Sequence, residues 1–287
     1  MHKYILPFLF TPCLSLISLN ATALTCNDNP AENLVSANNY IFQILDYIDL
    51  PTKGIKQEIR TIATKLDKGN SISSTAKHTL DYDSNGLITQ SQYELFSNEN
   101  QRVYSEHLQK TNVGWENIIE DVEDRTNSII QFKTDSQGKI VESQQAKKAV
   151  DFIFIETDSY QYDANNCLIS KNVQWKVKGV DEKGKFTGVD QNGGSSYTFA
   201  YQQQQVAKVL YQFSNNMKNE NDFLYQFDNN HRLSSIQTSY WSSGKNVANY
   251  MTHFLTFNDK NDWITASKVK VDQSDKQTQI SRQISYY

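Results

Sequence analysis

The sequence predicts a mainly β protein, an antiparallel meander of stacked β-hairpins curling into an open sheet, with an N-terminal helical hairpin packed on it. Three observations predict this. A phrase of aromatic, any residue, aromatic, Asp, two polar residues and then Gly or Asn recurs along most of the 287 residues. The residues leading into each Asp alternate with the strand period of two. Ahead of the repeats, apolar residues stand at helical spacing instead.

In chain order, the first segment reads as a secretion signal over residues 1–23. His2 and Lys3 open it, Ile5 to Leu19 is apolar, and Ala21-Thr22-Ala23 fits the small-x-small cleavage rule. Pro7, Thr11, Pro12 and Ser15 interrupt the apolar run, which disfavours a membrane anchor. The expected address is the periplasm or the extracellular space. Cleavage removes one Lys and no acid and takes the formal charge from -4 to -5. That mild acidity, with no Lys/Arg cluster, argues against nucleic acid as a partner.

Of three cysteines, Cys13 leaves with the signal. Cys26 and Cys167 remain, an even pair that suits one disulfide in an oxidising compartment. The alternative for Cys26 is a lipid anchor, although Ala23-Leu24-Thr25 makes a poor lipoprotein box.

Residues 24–29 read as a flexible start to a helical hairpin over residues 24–70. Pro30 suits a first helical turn. Leu34, Ile41, Ile44, Leu45 and Ile48 make one apolar stripe, ended by Pro51. Ile55, Ile59, Ile62 and Leu66 make a second, from Thr52 to Asp67.

The repeat domain is expected over residues 71–287. Its turns begin at Asp83, Asp135, Asp163, Asp181, Asp228 and Asn258, with a degraded copy at Gln202. Three residues on stand Gly86, Gly138, Asn166, Gly184, His231 and Asn261. Gly enters the left-handed region freely and Asn and His are enriched there, while a leading Asp or Asn bonds the backbone further on. A type I turn followed by a left-handed residue is a common hairpin loop. The long gap from Asp83 to Asp135 leaves room for a hidden copy near Tyr104 to Trp115. Trp115 to Ile130 suits a helix face or two short strands. Gly188 to Ser196 reads as a loop, and Met217 to Asp222 as a polar turn.

With those residues in view, the chain resembles the YD-repeat (RHS-like) family of exported bacterial proteins. Tyr160 to Leu168, Tyr225 to Leu233 and Leu80 to Ile88 carry the mark best, and Phe257 to Thr265 is similar to the family's terminal variant. The resemblance covers about residues 79–287. It implies stacked hairpins in a sheet that curls, and a binding or structural role toward a glycan or an envelope protein.

Chemistry is sparse. Asp81, Asp83 and Asn85 with Gly86 match the start of an EF-hand loop. Position twelve is Gln92, which lacks the bidentate carboxylate, and the other copies carry Lys133, Gln161, Gln226 and Thr256 where Asp81 stands. The turn explains the phrase without an ion, so no cofactor is expected, with calcium as the alternative. His78, His107, His231 and His253 share no metal-ligand spacing and read as surface or turn residues. No Gly-x-Ser-x-Gly, His-Glu-x-x-His, Cys-x-x-Cys or phosphate loop is present. The expected role is a non-catalytic exported binding or structural module. The alternatives are a secreted hydrolase with dispersed carboxylates and a calcium-stabilised module at the Asp81 loop.

Overall fold

The Asp phrase turns the chain in one way wherever its atoms can be followed. The computed structural model describes residues 24–42, 54–66, 74–122, 125–149, 151–181, 185–214, 217–230 and 232–287. At Asp83, Oδ1 accepts the N–H groups of Asn85 (2.8 Å) and Leu87 (3.0 Å), and Gly86 N–H donates to Asp83 O (2.9 Å). Gly86 has φ +88°, a value glycine adopts without strain. Asp135 with Gly138 (φ +79°) and Asp163 with Asn166 (φ +61°) repeat the arrangement. Asn258 with Asn261 (φ +67°) does so with an amide oxygen. Asp228 accepts from the N–H groups of Asn230 and Arg232, and Asp181 from that of Lys185. His231 and Gly184 lie outside the described residues.

After helix α1 (Pro30–Phe42), the described residues form β1 (Ile55–Leu66), β2 (Ser74–Tyr82), β3 (Ile88–Phe96), β4 (Arg102–Thr111), β5 (Gly114–Asp121) and β6 (Thr126–Thr134). There follow β7 (Ile140–Lys148), β8 (Phe152–Tyr162), β9 (Leu168–Val180), β10 (Phe186–Gln202) and β11 (Gln205–Phe213). The last are β12 (Lys218–Phe227), β13 (Leu233–Ser242), β14 (Lys245–Phe257), β15 (Trp263–Lys270) and β16 (Gln273–Tyr286). Every strand pairs antiparallel with its sequence neighbours, and β1 pairs with β16, so the sheet closes into a barrel.

An up-and-down order sends every second turn to the same end. The turns at Asp83, Asp135, Asp163, Asp228 and Asn258 therefore gather at one end, and the Asp181 turn, between β9 and β10, sits at the other. The degraded copy closes β10 on β11 through Gln203 and Gln204, both at positive φ, as a tight two-residue hairpin requires. The gap between Asp83 and Asp135 holds the β4–β5 hairpin, whose turn at Asn112 and Val113 carries no Asp.

Several expectations are corrected. The sheet is closed, not open. Among the described residues one helix stands in place of the helical hairpin, and within the stretch from Thr52 to Asp67 expected to form the second, Ile55–Leu66 is strand β1. Two charged residues at inward positions, Glu58 and Arg60, hid the period of two there. The rest of the first stripe, through Ile48 to Pro51, lies outside the described residues, as does the signal segment. Trp115 to Ile130 is β5 and β6, Gly188 to Ser196 belongs to β10, and Lys218 to Asp222 belongs to β12. Residues 24–29 are pinned: Thr25 bridges Gln205, and Val206 N–H donates to Leu24 O.

The seam between β1 and β16 is an ionic lock. Arg60 and Arg282 stand directly opposite each other on the inner face, a placement that costs stability unless a counter-charge lies between them. Glu58 supplies it and accepts hydrogen bonds from both guanidinium groups. Tyr82 on β2 donates to the same carboxylate at 2.6 Å, and Arg282 lies 4.7 Å from the centre of the Trp263 ring on β15. Four consecutive strands around the closure thus share one buried cluster. Burial pushes the Glu58 carboxyl up, but Arg282 and Arg60 outweigh it and hold the group down at about 2.

Two predictions follow from turn and seam. Gly86→Val places a β-branched residue at positive φ and should lower unfolding free energy by about 1 kcal/mol or more; equal denaturation midpoints would contradict the turn geometry. Because the folded pKa of Glu58 lies below its ordinary 4.5, its contribution is complete above pH 4.5 and is lost as pH falls toward 2. Glu58→Gln should cost about 3–5 kcal/mol at neutral pH by removing the counter-charge that two buried arginines share, and the gap to the parent should narrow in acid. A constant gap across that range would exclude the ionic lock.

Candidate functional site

The barrel has a closed end, and α1 closes it by bonding to the Asp-phrase turns. Asn29 Oδ1 caps the helix, accepting from the N–H groups of Ala31 and Glu32. Three asparagines then reach three turns. Asn33 donates to Asn165 O (2.8 Å). Asn38 donates to Gly138 O (2.9 Å) and accepts from Ile140 N–H (3.2 Å). Asn39 donates to Gly86 O (2.8 Å) and accepts from Ile88 N–H (2.9 Å). An amide carries both a donor and an acceptor, so it satisfies the outgoing carbonyl of a turn and the first N–H of the return strand together. Phe42 packs on Trp115 and Phe132, and Tyr40 meets Phe199 edge-on, so the helix touches well-separated strands.

Cys26 and Cys167 are joined in a disulfide, with Cα atoms 5.2 Å apart, which ties the segment before α1 to the Asp163 turn. Both thiols are used in that bond, which leaves none at Cys26 for a lipid.

Below α1 the inner wall changes character by layers. Nearest the helix it is apolar and fully buried, with Leu80, Ile88, Ile140, Leu168, Val206 and Ile236. Further in, the inward side chains are aromatic and only half-buried: Phe154, Trp175, Tyr197, Phe213, Tyr240 and Tyr250. Tyr197 meets Tyr211 edge-on at 4.7 Å, and Tyr240 meets Tyr250 at 5.5 Å. Sixteen strands enclose more space than side chains alone fill; eight already suffice for a filled interior. The outer wall is mainly polar, although Ile129, Ile155, Leu210, Leu224 and Leu255 are also exposed on it. Thr75 and Lys77 on β2, Glu142, Gln144 and Lys148 on β7, Gln174, Lys176 and Lys178 on β9, and Gln279, Ser281, Gln283 and Ser285 on β16 are all exposed. A lipid-facing barrel wall carries an apolar band instead, and a Lys at mid-bilayer costs about 2–4 kcal/mol. No helix among the described residues is long and apolar enough to cross a membrane.

Ionisable groups concentrate where β8, β9 and β10 face the lumen. Lys171 Nζ lies 2.6 Å from Asp158 Oδ2 and 5.4 Å from the centre of the Tyr197 ring. Ser143 and Tyr160 also donate to Asp158 Oδ2, both at 3.3 Å. Burial and then the charge of Asp158 push Glu156 up to about 7, against the pull of Lys171. Across the barrel, burial likewise pushes Glu106 up to about 7, although hydrogen bonds from Tyr104 and Asn117 act the other way.

Of the residues singled out in the sequence, Asp81 lies on β2 and accepts from Gln57 Nε2 (2.8 Å), Asp83 caps its turn, and Asn85 is exposed at the turn tip. His107 and His253 are on the outer face. His78 is a correction to the surface reading: it is buried, 2.8 Å from Ser91 Oγ, and burial with the nearby Arg60 charge holds it down at about 3. The sequence reading missed Glu156, Asp158, Lys171, Trp175 and Gly193. A signal was present: Phe154, Glu156, Asp158 and Tyr160 share one parity, which puts both acids on the aromatic face.

No protein-family model matches the chain, and no curated protein matches it. Among solved structures it is similar to a porin-like protein from Bacteroides uniformis, at 12% identity over 82% of this chain and 99% of that one, TM-score 0.46. It is similar to a LolA superfamily protein from Nitrosomonas europaea (10% identity, 88% and 91% covered, TM-score 0.31). It is also similar to a DUF1329 family protein from Desulfovibrio piger (6% identity, 90% and 93% covered, TM-score 0.26). Likeness at this level identifies no relative. The resemblance to YD-repeat (RHS-like) proteins is overturned: no family model matches, and the sheet closes on itself through β1, a strand outside the resembling residues. The shared phrase is a local solution for a hairpin turn, open to any antiparallel meander.

The plug geometry makes a testable prediction. The disulfide spans 141 residues of sequence, and its reduction should lower stability by about 2–5 kcal/mol. Denaturation midpoints that are equal with and without reductant would contradict the tie between plug and turn.

Proposed function

We propose that the chain is a non-catalytic binding module of the cell envelope that holds an apolar or amphipathic molecule in the lumen of its barrel, on the side away from α1. One observation carries this reading: half-buried aromatic side chains line the inner wall below a fully buried apolar layer, while most of the outer wall is polar, with exposed apolar residues among the polar ones. An apolar pocket with a few convergent polar groups is the usual form of a small-molecule site. The polar wall favours an aqueous setting over a lipid one, and the disulfide favours an oxidising compartment such as the periplasm. The role needs no cofactor.

Hydrolysis by dispersed carboxylates has one observation in its favour, the Glu156 and Asp158 pair facing the lumen. Glycoside cleavage needs its two carboxyl groups on opposite sides of the scissile bond. These two project from one face of one strand, and Lys171 occupies Asp158. Binding is therefore the better supported role.

The lumen reading is tested with an environment-sensitive apolar dye, N-phenyl-1-naphthylamine, added to the folded protein. Saturable, blue-shifted fluorescence is expected, weakened severalfold by Trp175→Ala. A folded protein that gives no saturable signal would overturn the reading.

A further inference from the structure

Three rows of the inner wall, counted away from α1, carry a charge pattern that the barrel itself does not require. Pairing across β7 to β11 sets the rows as Tyr160–Lys171–Tyr197–Tyr211, then Ser143–Asp158–Val173–Ser195–Phe213, then Gln145–Glu156–Trp175–Gly193. Lys171 neutralises Asp158. All hydrogen bonds to Asp158 fall on Oδ2; Oδ1 is buried, in a residue only 7% exposed, and has no partner among the described residues. No described residue donates a hydrogen bond to the Glu156 carboxylate. Once Glu156 ionises, two carboxylates face the lumen against one ammonium group, and one negative charge is unmatched in a largely desolvated wall, a costly arrangement.

The aromatic neighbours are placed with equal care. A Cβ on Gly193 would stand 2.4 Å from the Trp175 indole, so only glycine lets the ring lie down on β10. The indole then leans to the side away from Glu156, which stands on β8, and leaves that carboxylate open to the lumen. Tyr197, half-buried, adds a second ring one strand over.

We propose that Glu156, Asp158, Trp175 and Tyr197 form a subsite for the ammonium head of an amphipathic amine whose aliphatic part lies along the lumen aromatics. The proposal rests on the lumen-binding reading above and adds the chemistry of the head group. An ammonium group supplies the missing positive charge, donates hydrogen bonds to Glu156 and to Asp158 Oδ1, and is attracted by the faces of the rings. A carboxylate head would meet the unmatched like charge. A neutral head would leave the charge unmatched.

The test is calorimetric titration of the full chain at pH ~8, where Glu156 is ionised, with octylamine, 1-octanol and octanoate, whose tails are equal. Octylamine should bind at least tenfold more tightly than 1-octanol, and octanoate more weakly than either. Glu156→Gln should erase the preference for octylamine over 1-octanol and, by removing an unmatched charge, leave the thermal melt no lower than that of the parent. The ligand comparison in the parent protein decides the matter even where the variant does not fold. Equal affinity for octylamine and 1-octanol overturns the subsite and leaves lumen binding standing, as does a preference that survives Glu156→Gln. Absence of binding by all three overturns both.

Discussion

Closure of β1 on β16 is the constraint on which the remaining structure depends. A meander of hairpins has two free edges, and each edge is a row of unpaired backbone groups open to other chains. Here the two edges pair with each other along Ile55 to Leu66. The pairing is non-local in the extreme, because it joins the start of the sheet to its end, so the register has to be written into side chains. Glu58 writes it. A shift of β1 by one residue would turn Glu58 and Arg60 outward and leave Arg282 inside without them, and a shift by two would separate the carboxylate from Arg282. The Tyr82 hydroxyl and the Trp263 ring extend the same cluster to β2 and β15.

Closure gives the barrel an inside, and the local turns give that inside a floor. Because the turns at Asp83, Asp135, Asp163, Asp228 and Asn258 all fall between an even-numbered strand and the next, they present similar carbonyls and N–H groups at the same end. Helix α1 reads those groups through Asn33, Asn38 and Asn39. The buried asparagines are thus part of the closing device, and the disulfide at Cys167 fixes the helix to the same end. With one end occupied, the half-buried aromatics further along the wall face a space that has a direction, apolar toward the helix and charged in its middle layer.

The turns were legible in the sequence because every atom of the device lies within five residues: Asp83 reaches Asn85 and Leu87, and Gly86 bends the chain between them. The strand content was legible wherever inward residues were apolar, as around Tyr160 and Phe199. It failed where inward residues were charged or absent. Glu58 and Arg60 made β1 resemble a helix, and Gly193 and Gly194 made β10 resemble a loop, although Gly193 is there to seat an indole. Closure itself could not be read, since nothing near Ile55 in sequence announces Tyr286 as its partner. The likeness to a repeat family had the same origin: a local turn solution was legible and the global path of the sheet was not.

Backbone hydrogen exchange at the seam tests the closed barrel most directly. In a barrel without edges, the amides of residues 58–63 on β1 and 279–284 on β16 are protected to the same degree as those of central strands such as β8 and β9. Exchange of either segment at the rate of an unpaired edge, with the central strands still protected, would show that the sheet is open and that the lumen built on its closure does not exist.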